Sequence, residues 1–192
     1  MKQLFAAAAL ISVTSAALIA PVFAAPDTYT IDSKHTFPTF EVNHLGYSIQ
    51  RGRFDKTSGT ITLDMAAKTG SADITIDTAS IDMGFDEWNK HMDEKFFNSA
   101  KFPTMTFKSS MFKFKKDHLV EVDGNLTLLG VTKPVVLKVD LFKCALHPML
   151  KKDACGANAT TTIKRSDFGM SAYVPMVGDE IKIAFGIEAV KN

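Results

Sequence analysis

No sign of charge predominates in this sequence of 192 residues. It has 22 Lys and Arg residues against 21 Asp and Glu residues, and its formal net charge is +1 at pH 7. No stripe of basic side chains interrupts this balance. The composition therefore argues against a nucleic-acid partner, which requires a basic surface, and against electrostatic attraction to an anionic membrane.

Signatures of catalysis and of metal binding are also missing from the sequence. It has no HExxH, no Cys-x-x-Cys pair and no spacing typical of a two-histidine, one-carboxylate site. A phosphate loop and a G-x-S-x-G nucleophile turn are absent too. Asp167-Phe168-Gly169 spells the magnesium-binding triplet of kinases, but no glycine-rich loop or catalytic loop accompanies it. We therefore expect a protein that is not an enzyme and that holds no metal and no cofactor.

Long apolar runs are confined to the N-terminus. A single lysine precedes an uncharged, alanine-rich segment, and Val22-Phe23-Ala24 then places small or medium side chains at positions −3 and −1 of a cleavage site. This pattern predicts that residues 1–24 are a signal peptide, cleaved before Ala25, which directs export. A membrane anchor is the alternative, but the run is short and a cleavage site follows it. We expect residues 25–192 to form a single domain.

Cysteine is rare, and Cys144 and Cys155 are the two in the chain. An even number of cysteines in an exported protein favours a disulfide. The bond would close a loop of about 12 residues and stabilise the fold by about 3 kcal/mol in the chain-entropy model. The alternative is a metal site formed by Cys144, His147 and Cys155, but this set lacks a fourth ligand. We therefore predict the disulfide, with the cysteines in a loop.

The rest of the chain alternates between apolar and polar residues, which is the period of a β-strand with one buried face. In residues 36–44, Phe40 and Val42 alternate with polar neighbours. Near the C-terminus one face carries Ile181, Ile183, Phe185 and Ile187. Turn-forming residues separate about eight to ten such segments. One-sided alternation is typical of an antiparallel sheet, and at this length the alternatives are a sandwich and a closed barrel.

One segment after the leader, within residues 85–107, has a helical pattern. Phe85, Trp88, Met92 and Phe96 recur at the spacing of one helix face, and charged residues occupy the opposite face. Pro103 limits how far the helix can extend. Because the apolar face must be buried against the sheet, we expect the helix to cover the mouth or the wall of a closed barrel. Function should concentrate there.

Four motifs follow one another along the mature chain. They are YTIDSKH with NHLGY in residues 29–47, KHM with KFPTMTF in residues 90–107, GNLTLLGVTKPV in residues 124–135, and IKRSDFGM in residues 163–170. In this combination the chain resembles the YceI-like family of polyisoprenoid-binding, lipocalin-like periplasmic proteins. The resemblance implies an all-β, extended antiparallel lipocalin-like barrel with one inserted helix. Its apolar bore would hold an isoprenoid or similar long-chain amphiphile, a polyprenyl lipid or an isoprenoid quinone, for carriage, storage or stress protection.

The side chains expected to contact this ligand are large and apolar. The chain has 15 Phe, nine Met and one Trp, and such residues either fill a core or line a bore that takes an alkyl chain. The sequence does not separate these two roles. The predicted wall consists of Phe40, Val42, Phe54, Met83, Phe85, Trp88, Met92, Phe96, Phe102, Phe107, Ile163, Phe168 and Met170.

Two of the five histidines, His44 and His91, complete the predicted site as hydrogen-bond donors to a quinone or phosphate head group. Ordinary surface or hydrogen-bonding histidines are the alternative. Two rival functions also stay open. One is an enzyme of the same barrel class that acts on a bound quinone or lipid, with His91 or Asp93 as acid or base. The other is a docking module for a membrane partner. A transient membrane contact and a homodimer are further expectations.

Overall fold

The structure, a computed structural model, describes residues 25–192, and the proposed signal peptide lies outside the described residues. The described chain contains eleven strands. They are β1 (Asp27–Ile31), β2 (Phe37–His44), β3 (Ser48–Phe54), β4 (Thr57–Asp64), β5 (Thr69–Asp77), β6 (Ile81–Asp82), β7 (Thr104–Lys115), β8 (His118–Leu128), β9 (Val131–Leu146), β10 (Asp153–Lys164) and β11 (Val177–Lys191). One α-helix, α1 (Asp86–Met92), lies between β6 and β7. Within residues 25–192, no helix has the length and apolarity needed to cross a membrane.

Eight of the strands form a closed antiparallel barrel. Their order is β1-β4-β5-β7-β8-β9-β10-β11, and the pairing of β1 with β11 closes the barrel. At this closure Thr30 lies directly opposite Val190. The structure therefore confirms the predicted antiparallel barrel with one inserted helix and rules out the sandwich.

Strand β11 pairs with two strands along the same edge. Its C-terminal part pairs with β1 and its N-terminal part with β2. The turn between β1 and β2 is held on β11 because the Asp32 N–H donates to the Glu188 carbonyl (2.8 Å) and the Thr36 hydroxyl donates to the same carbonyl (3.3 Å). Strands β3 and β6 continue the sheet beyond β2. Strand β2 thus takes over from β1 as the neighbour of β11.

The two ends of the barrel differ. We call the end that carries α1, the turn after β2 and residues 171–176 the mouth. There the Leu45 N–H donates to the Met176 carbonyl (3.0 Å), which joins the two loops. The far end carries the hairpins β4–β5, β7–β8 and β9–β10.

The alternation seen in the sequence defines the inner face of the barrel. On β5, Ile74 and Ile76 are buried, whereas Asp73 accepts a hydrogen bond from Lys108 on the exposed surface (2.9 Å). Ile74 lies directly opposite Phe107 of β7. Apolar residues on neighbouring strands therefore meet at the same height inside the barrel and form its core.

The cysteines lie in strands and not in a loop. Cys144 on β9 and Cys155 on β10 are direct partners in the antiparallel register, and a disulfide joins them with their Cα atoms 4.1 Å apart. The predicted disulfide is confirmed, but the prediction that both cysteines lie in a loop is wrong. Residues 147–152 form a short turn, and the residues on either side of it are strand because β10 also pairs with β11 from Ala154 to Lys164, which supplies backbone hydrogen bonds that a local sequence pattern does not reveal.

The helix is shorter than the sequence pattern indicates. After α1, a π-helical turn covers Asp93–Phe97, and Asn98 leaves the helix in the left-handed conformation with φ of 47°. The Asp93 carboxylate accepts a hydrogen bond from the Ser99 N–H (2.9 Å), which fixes this exit. The helical segment therefore ends before Pro103, the residue expected to limit it.

Candidate functional site

A cavity of about 530 Å³ occupies the mouth half of the barrel. This volume lies within the usual range for small-molecule sites. Its wall comes from seven strands, from α1 with the π-helical turn, and from the loops at the mouth. The lining residues are Pro38, Thr39, Phe40, Val42, His44, Leu45, Gln50, Phe54, Ile76, Met83, Trp88, His91, Met92, Phe96, Phe97, Met105, Leu126, Leu128, Ile163, Arg165, Met170, Tyr173, Met176, Val177, Ile181, Ile183 and Phe185.

The strand register sets the height of each wall residue. Ile76 on β5 and Met105 on β7 are direct partners, and both line the cavity. On the opposite side, Ile183 of β11 pairs with Phe40 of β2, and both again line it. Because side chains along a strand alternate between the two faces, these positions form a continuous apolar inner surface.

A glycine allows two wall residues to approach β3 closely. A Cβ atom on Gly52 would lie 2.4 Å from Met83 Sδ and 2.6 Å from Phe40 Cζ, well inside contact distance. The hydrogen at this position leaves room for both side chains against the strand. The ring centroids of Phe40 and Phe54 are 6.0 Å apart. The Phe54 ring in turn packs edge to face against Phe97, with their centroids 5.2 Å apart.

The helical segment covers the cavity at the mouth. Trp88 and Met92 of α1 and Phe96 of the π-helical turn line the cavity from this side. The ring centroids of Trp88 and His44 are 6.3 Å apart, so the helix contacts the end of β2. Phe96 in turn packs 6.1 Å from Tyr173 in the loop before β11. The polar wall residues His44, His91 and Tyr173 therefore gather around the mouth.

Arg165 is the charged side chain in the cavity wall, and it is 2% exposed. Its Nε donates to the Gly178 carbonyl (2.8 Å), Nη1 to the Met170 carbonyl (2.7 Å) and Nη2 to the Val177 carbonyl (2.9 Å). Burial lowers the pKa of this guanidinium, partly offset by the charge of Asp179. Its charge is also 5.7 Å from the centre of the Phe96 ring. Arg165 thus ties the loop at residues 169–178 to the end of β10.

Eleven of the 15 sequence-predicted site residues line the cavity. These are Phe40, Val42, His44, Phe54, Met83, Trp88, His91, Met92, Phe96, Ile163 and Met170. Their contact with a ligand remains a prediction.

The other four predicted residues do not line this cavity. Phe85 precedes α1 in an extended conformation and is 50% exposed. Phe102 packs over the β8–β9 turn, where a Cβ on Gly130 would lie 3.1 Å from its ring. Phe168 is buried in a 3₁₀ turn after β10, and Phe107 is buried in the core on the far-end side of the cavity.

Several wall residues were missed by the sequence prediction. Ile181, Ile183 and Phe185 share one face of β11, so their alternation indicated an inner surface, although not that a cavity would face it. Arg165 was missed because the predicted site consists of large apolar residues and two histidines. Its burial depends on the loop that folds back on it, and no local pattern signals that contact.

Among the described residues, one group has three side chains that could hold a metal ion together, namely Asp32, His35 and Glu188. It lies on the outer surface, away from the cavity. The Asp32 carboxylate accepts a hydrogen bond from His35 Nδ1 (2.8 Å), and this bond raises the pKa of His35 and lowers the pKa of Asp32. The group therefore already has a structural role in the β1–β2 turn.

Comparison with known proteins agrees with this architecture. A family model described as the YceI-like domain matches residues 29–189. Protein YceI of Salmonella arizonae is 39% identical over 170 residues, which cover 85% of this chain and 87% of that protein. The crystal structure of Burkholderia cenocepacia BcnA has a TM-score of 0.70 and 26% identity over 82% of this chain and 98% of that chain.

A polyisoprenoid binding domain from Saccharophagus degradans shares the fold, with a TM-score of 0.65 at 20% identity over 85% of this chain and 98% of that chain. At 20% identity this likeness shows the shared fold alone. The fold of this chain is a lipocalin-like barrel with an internal cavity. The family model spans most of the chain, and the chain belongs to the YceI-like family.

Proposed function

We propose that this protein binds an isoprenoid or a similar amphiphile with a long apolar tail, without chemical turnover, in the cavity of its barrel. The observation that carries the proposal is the cavity itself, about 530 Å³ enclosed mainly by aliphatic, Phe and Met side chains. Flexible Met side chains suit a tail of variable shape. Membership of the YceI-like family supports the proposal, as does the described ligand class of the Saccharophagus degradans domain.

The affinity would come mainly from the tail. Burial of apolar surface contributes roughly 0.8 kcal/mol per methylene, so a tail of about 15 carbon atoms supplies about 12 kcal/mol before the costs of association. The head group then needs few polar contacts. A quinone or a prenyl lipid both meet this description.

The head group would lie at the mouth, where the polar wall residues gather. His44 and His91 are the proposed hydrogen-bond donors to it. Replacing either with Phe should alter the preference for one head group over another and leave binding of the tail unchanged. Equal head-group preference in the wild-type protein and in both variants would remove these histidines from the binding site.

The loops at the mouth expose apolar side chains. Leu45, Tyr47 and Met176 near the mouth are 47%, 90% and 62% exposed and form an apolar surface for a transient membrane contact. Homodimerisation through this surface is the alternative, and sedimentation with and without vesicles separates the two.

Residues 1–24 would direct export to the periplasm, where the Cys144–Cys155 disulfide would persist. The role there would be carriage, storage or protection of the lipid.

The single tryptophan of the chain, Trp88, lines the cavity and provides a direct test. Farnesol titrated into delipidated protein should change Trp88 emission and saturate at one equivalent. Ile183→Asn, which places an amide in the wall, should weaken binding at least ten-fold. Lys182→Asn is the matched control, because Lys182 is the exposed neighbour on the same strand, and it should bind as the wild type does.

Two other results would redirect the proposal. If the protein converts the bound lipid into a product, and His91→Phe or Asp93→Asn abolishes this activity, the protein is an enzyme. Co-purification of a stoichiometric protein, with no lipid and no response of Trp88, would favour the docking module.

A further inference from the structure

We propose that the β9–β10 hairpin is a membrane-binding element whose tip inserts into the interface of a bilayer that contains anionic phospholipids. We call residues 146–152 the tip. They lie at the far end of the barrel and contribute nothing to the wall of the cavity. The inference is therefore independent of the proposed function and concerns a second surface of the molecule.

The hairpin extends past its neighbour in the sheet. The register between β8 and β9 ends at Glu121 opposite Lys138, whereas β9 continues to pair with β10 as far as Leu146 opposite Asp153. The Cys144–Cys155 disulfide joins the two strands just before the tip. The tip is thus held in one shape before it meets a partner, which reduces the entropy lost on binding.

Three large apolar side chains of the tip face solvent. Leu146, Met149 and Leu150 are 62%, 84% and 52% exposed. A single exposed apolar side chain is common in soluble proteins, but here three are gathered at one projecting turn. Transfer of each from water to the acyl boundary of a bilayer should raise affinity about ten-fold.

Lysines flank these apolar side chains. Lys143, Lys151 and Lys152 are exposed, and residues 143–152 contain no carboxylate. The next carboxylate along the chain, that of Asp153, lies 3.7 Å from Lys191 Nζ and is partly neutralised by it. Each lysine near an anionic membrane surface raises affinity about five-fold. The balanced charge of the whole chain does not oppose this local attraction, because charges beyond about 8 Å are screened at physiological salt.

The backbone of the tip is prepared for a medium with little water. The Met149 and Leu150 N–H groups both donate to Nδ1 of His147 (3.2 and 3.1 Å). The Lys151 N–H donates to the His147 carbonyl (3.0 Å), and Pro148 has no N–H. Every N–H from 148 to 151 therefore has a partner within the turn. An unpaired N–H would oppose entry into lipid, so this feature favours a membrane over a hydrated protein partner.

Co-sedimentation of the mature protein with vesicles tests the inference. One set of vesicles contains phosphatidylglycerol and phosphatidylcholine in equal amounts, and the other contains phosphatidylcholine alone. We expect binding to the anionic vesicles to be at least about ten-fold stronger, because three lysines contribute there. Met149→Ser should weaken this binding about ten-fold, and Lys151→Gln about five-fold.

Two matched controls separate the tip from the general surface. Met111→Ser removes an exposed methionine of strand β7, outside the tip. Lys133→Gln removes an exposed lysine near the other end of β9. Both variants should bind the anionic vesicles as the wild type does.

A tryptophan placed in the tip reports insertion directly. In a Trp88→Phe background, which removes the single natural tryptophan, Met149→Trp should shift its emission to the blue on anionic vesicles and be quenched by brominated phospholipid. Met111→Trp in the same background should show neither change.

The histidine cap gives a further test that does not alter the apolar side chains or the lysines. His147→Ala leaves the Met149 and Leu150 N–H groups without their acceptor and should weaken vesicle binding about five-fold. His147→Asn supplies a side-chain oxygen that can accept from the same N–H groups and should restore most of the binding.

The outcomes are distinct. Binding to anionic vesicles that is weakened by the tip variants alone, with Met149→Trp quenched, supports the proposal. Sedimentation with neither kind of vesicle overturns it and leaves a protein as the partner of the tip. Binding that Tyr47→Ser abolishes and Met149→Ser does not change places the contact at the mouth and also overturns it.

Discussion

Replacement of Arg165 by Met should cost about 3 to 5 kcal/mol of folding free energy. The variant keeps much of the side-chain volume but removes three hydrogen bonds to the carbonyls of Met170, Val177 and Gly178. A hydrogen bond from a charged donor contributes about 1.5 to 3 kcal/mol. The expected cost is smaller than the sum of the three hydrogen bonds because burial of the guanidinium is itself unfavourable, and because water reaches carbonyls near the mouth once the side chain is shortened.

Urea denaturation measures this cost. With a slope of about 2 kcal/mol per molar, the midpoint should fall by about 2 M. Lys164→Met, at the exposed neighbouring position, is the matched control and should change stability by less than about 0.5 kcal/mol. An Arg165→Met loss below about 1 kcal/mol, or equal losses in the two variants, would falsify the argument that Arg165 anchors the mouth loop.

Three further predictions concern other parts of the barrel. Cys144→Ser with Cys155→Ser should lower the free energy of unfolding by about 3 kcal/mol without changing farnesol affinity, since the bond lies at the far end; a loss of affinity would contradict this placement. Gly52→Ala should destabilise the fold by about 1 to 3 kcal/mol in urea because its Cβ would meet Met83 and Phe40, whereas Gly156→Ala, whose nearest contact would be 3.5 Å, should cost less, and equal costs would contradict the packing. NMR titration should show that the pKa of His35 lies above the ordinary histidine value, and that Asp32→Asn returns it to that value. The hydrogen bond between His35 and Asp32 stabilises the fold fully below the ordinary histidine pKa, and this stabilisation is lost as pH rises through the raised value. If the pKa of His35 is the same in Asp32→Asn as in the wild type, the hydrogen bond is not the cause of the shift.

The sequence predicts the fold well because alternation with a period of two determines which side chains face the interior. The strands around Phe40 and around Ile183 follow this pattern. It fails at the cysteines, where strand is maintained by pairing between β9, β10 and β11. It also overextends the helix, because the exit at Asn98 depends on the side chain of Asp93.

The site is less predictable for a related reason. Alternation separates the interior from the surface, but it does not give the height of a residue along the barrel axis. Met105 and Phe107 belong to the same inner face, and one lines the cavity while the other is buried in the core. That difference depends on the register with β5 and β8 and on the absence of a side chain at Gly124.

Mass spectrometry of a solvent extract tests the central claim most directly. The mature protein would be purified from the periplasm without detergent, checked for an intact fold by circular dichroism, and extracted. We expect a stoichiometric isoprenoid or other amphiphile with a long apolar tail, and this result would also identify its head group. A folded protein whose extract contains no such compound, and whose Trp88 emission does not respond to added prenyl alcohols, would contradict lipid binding.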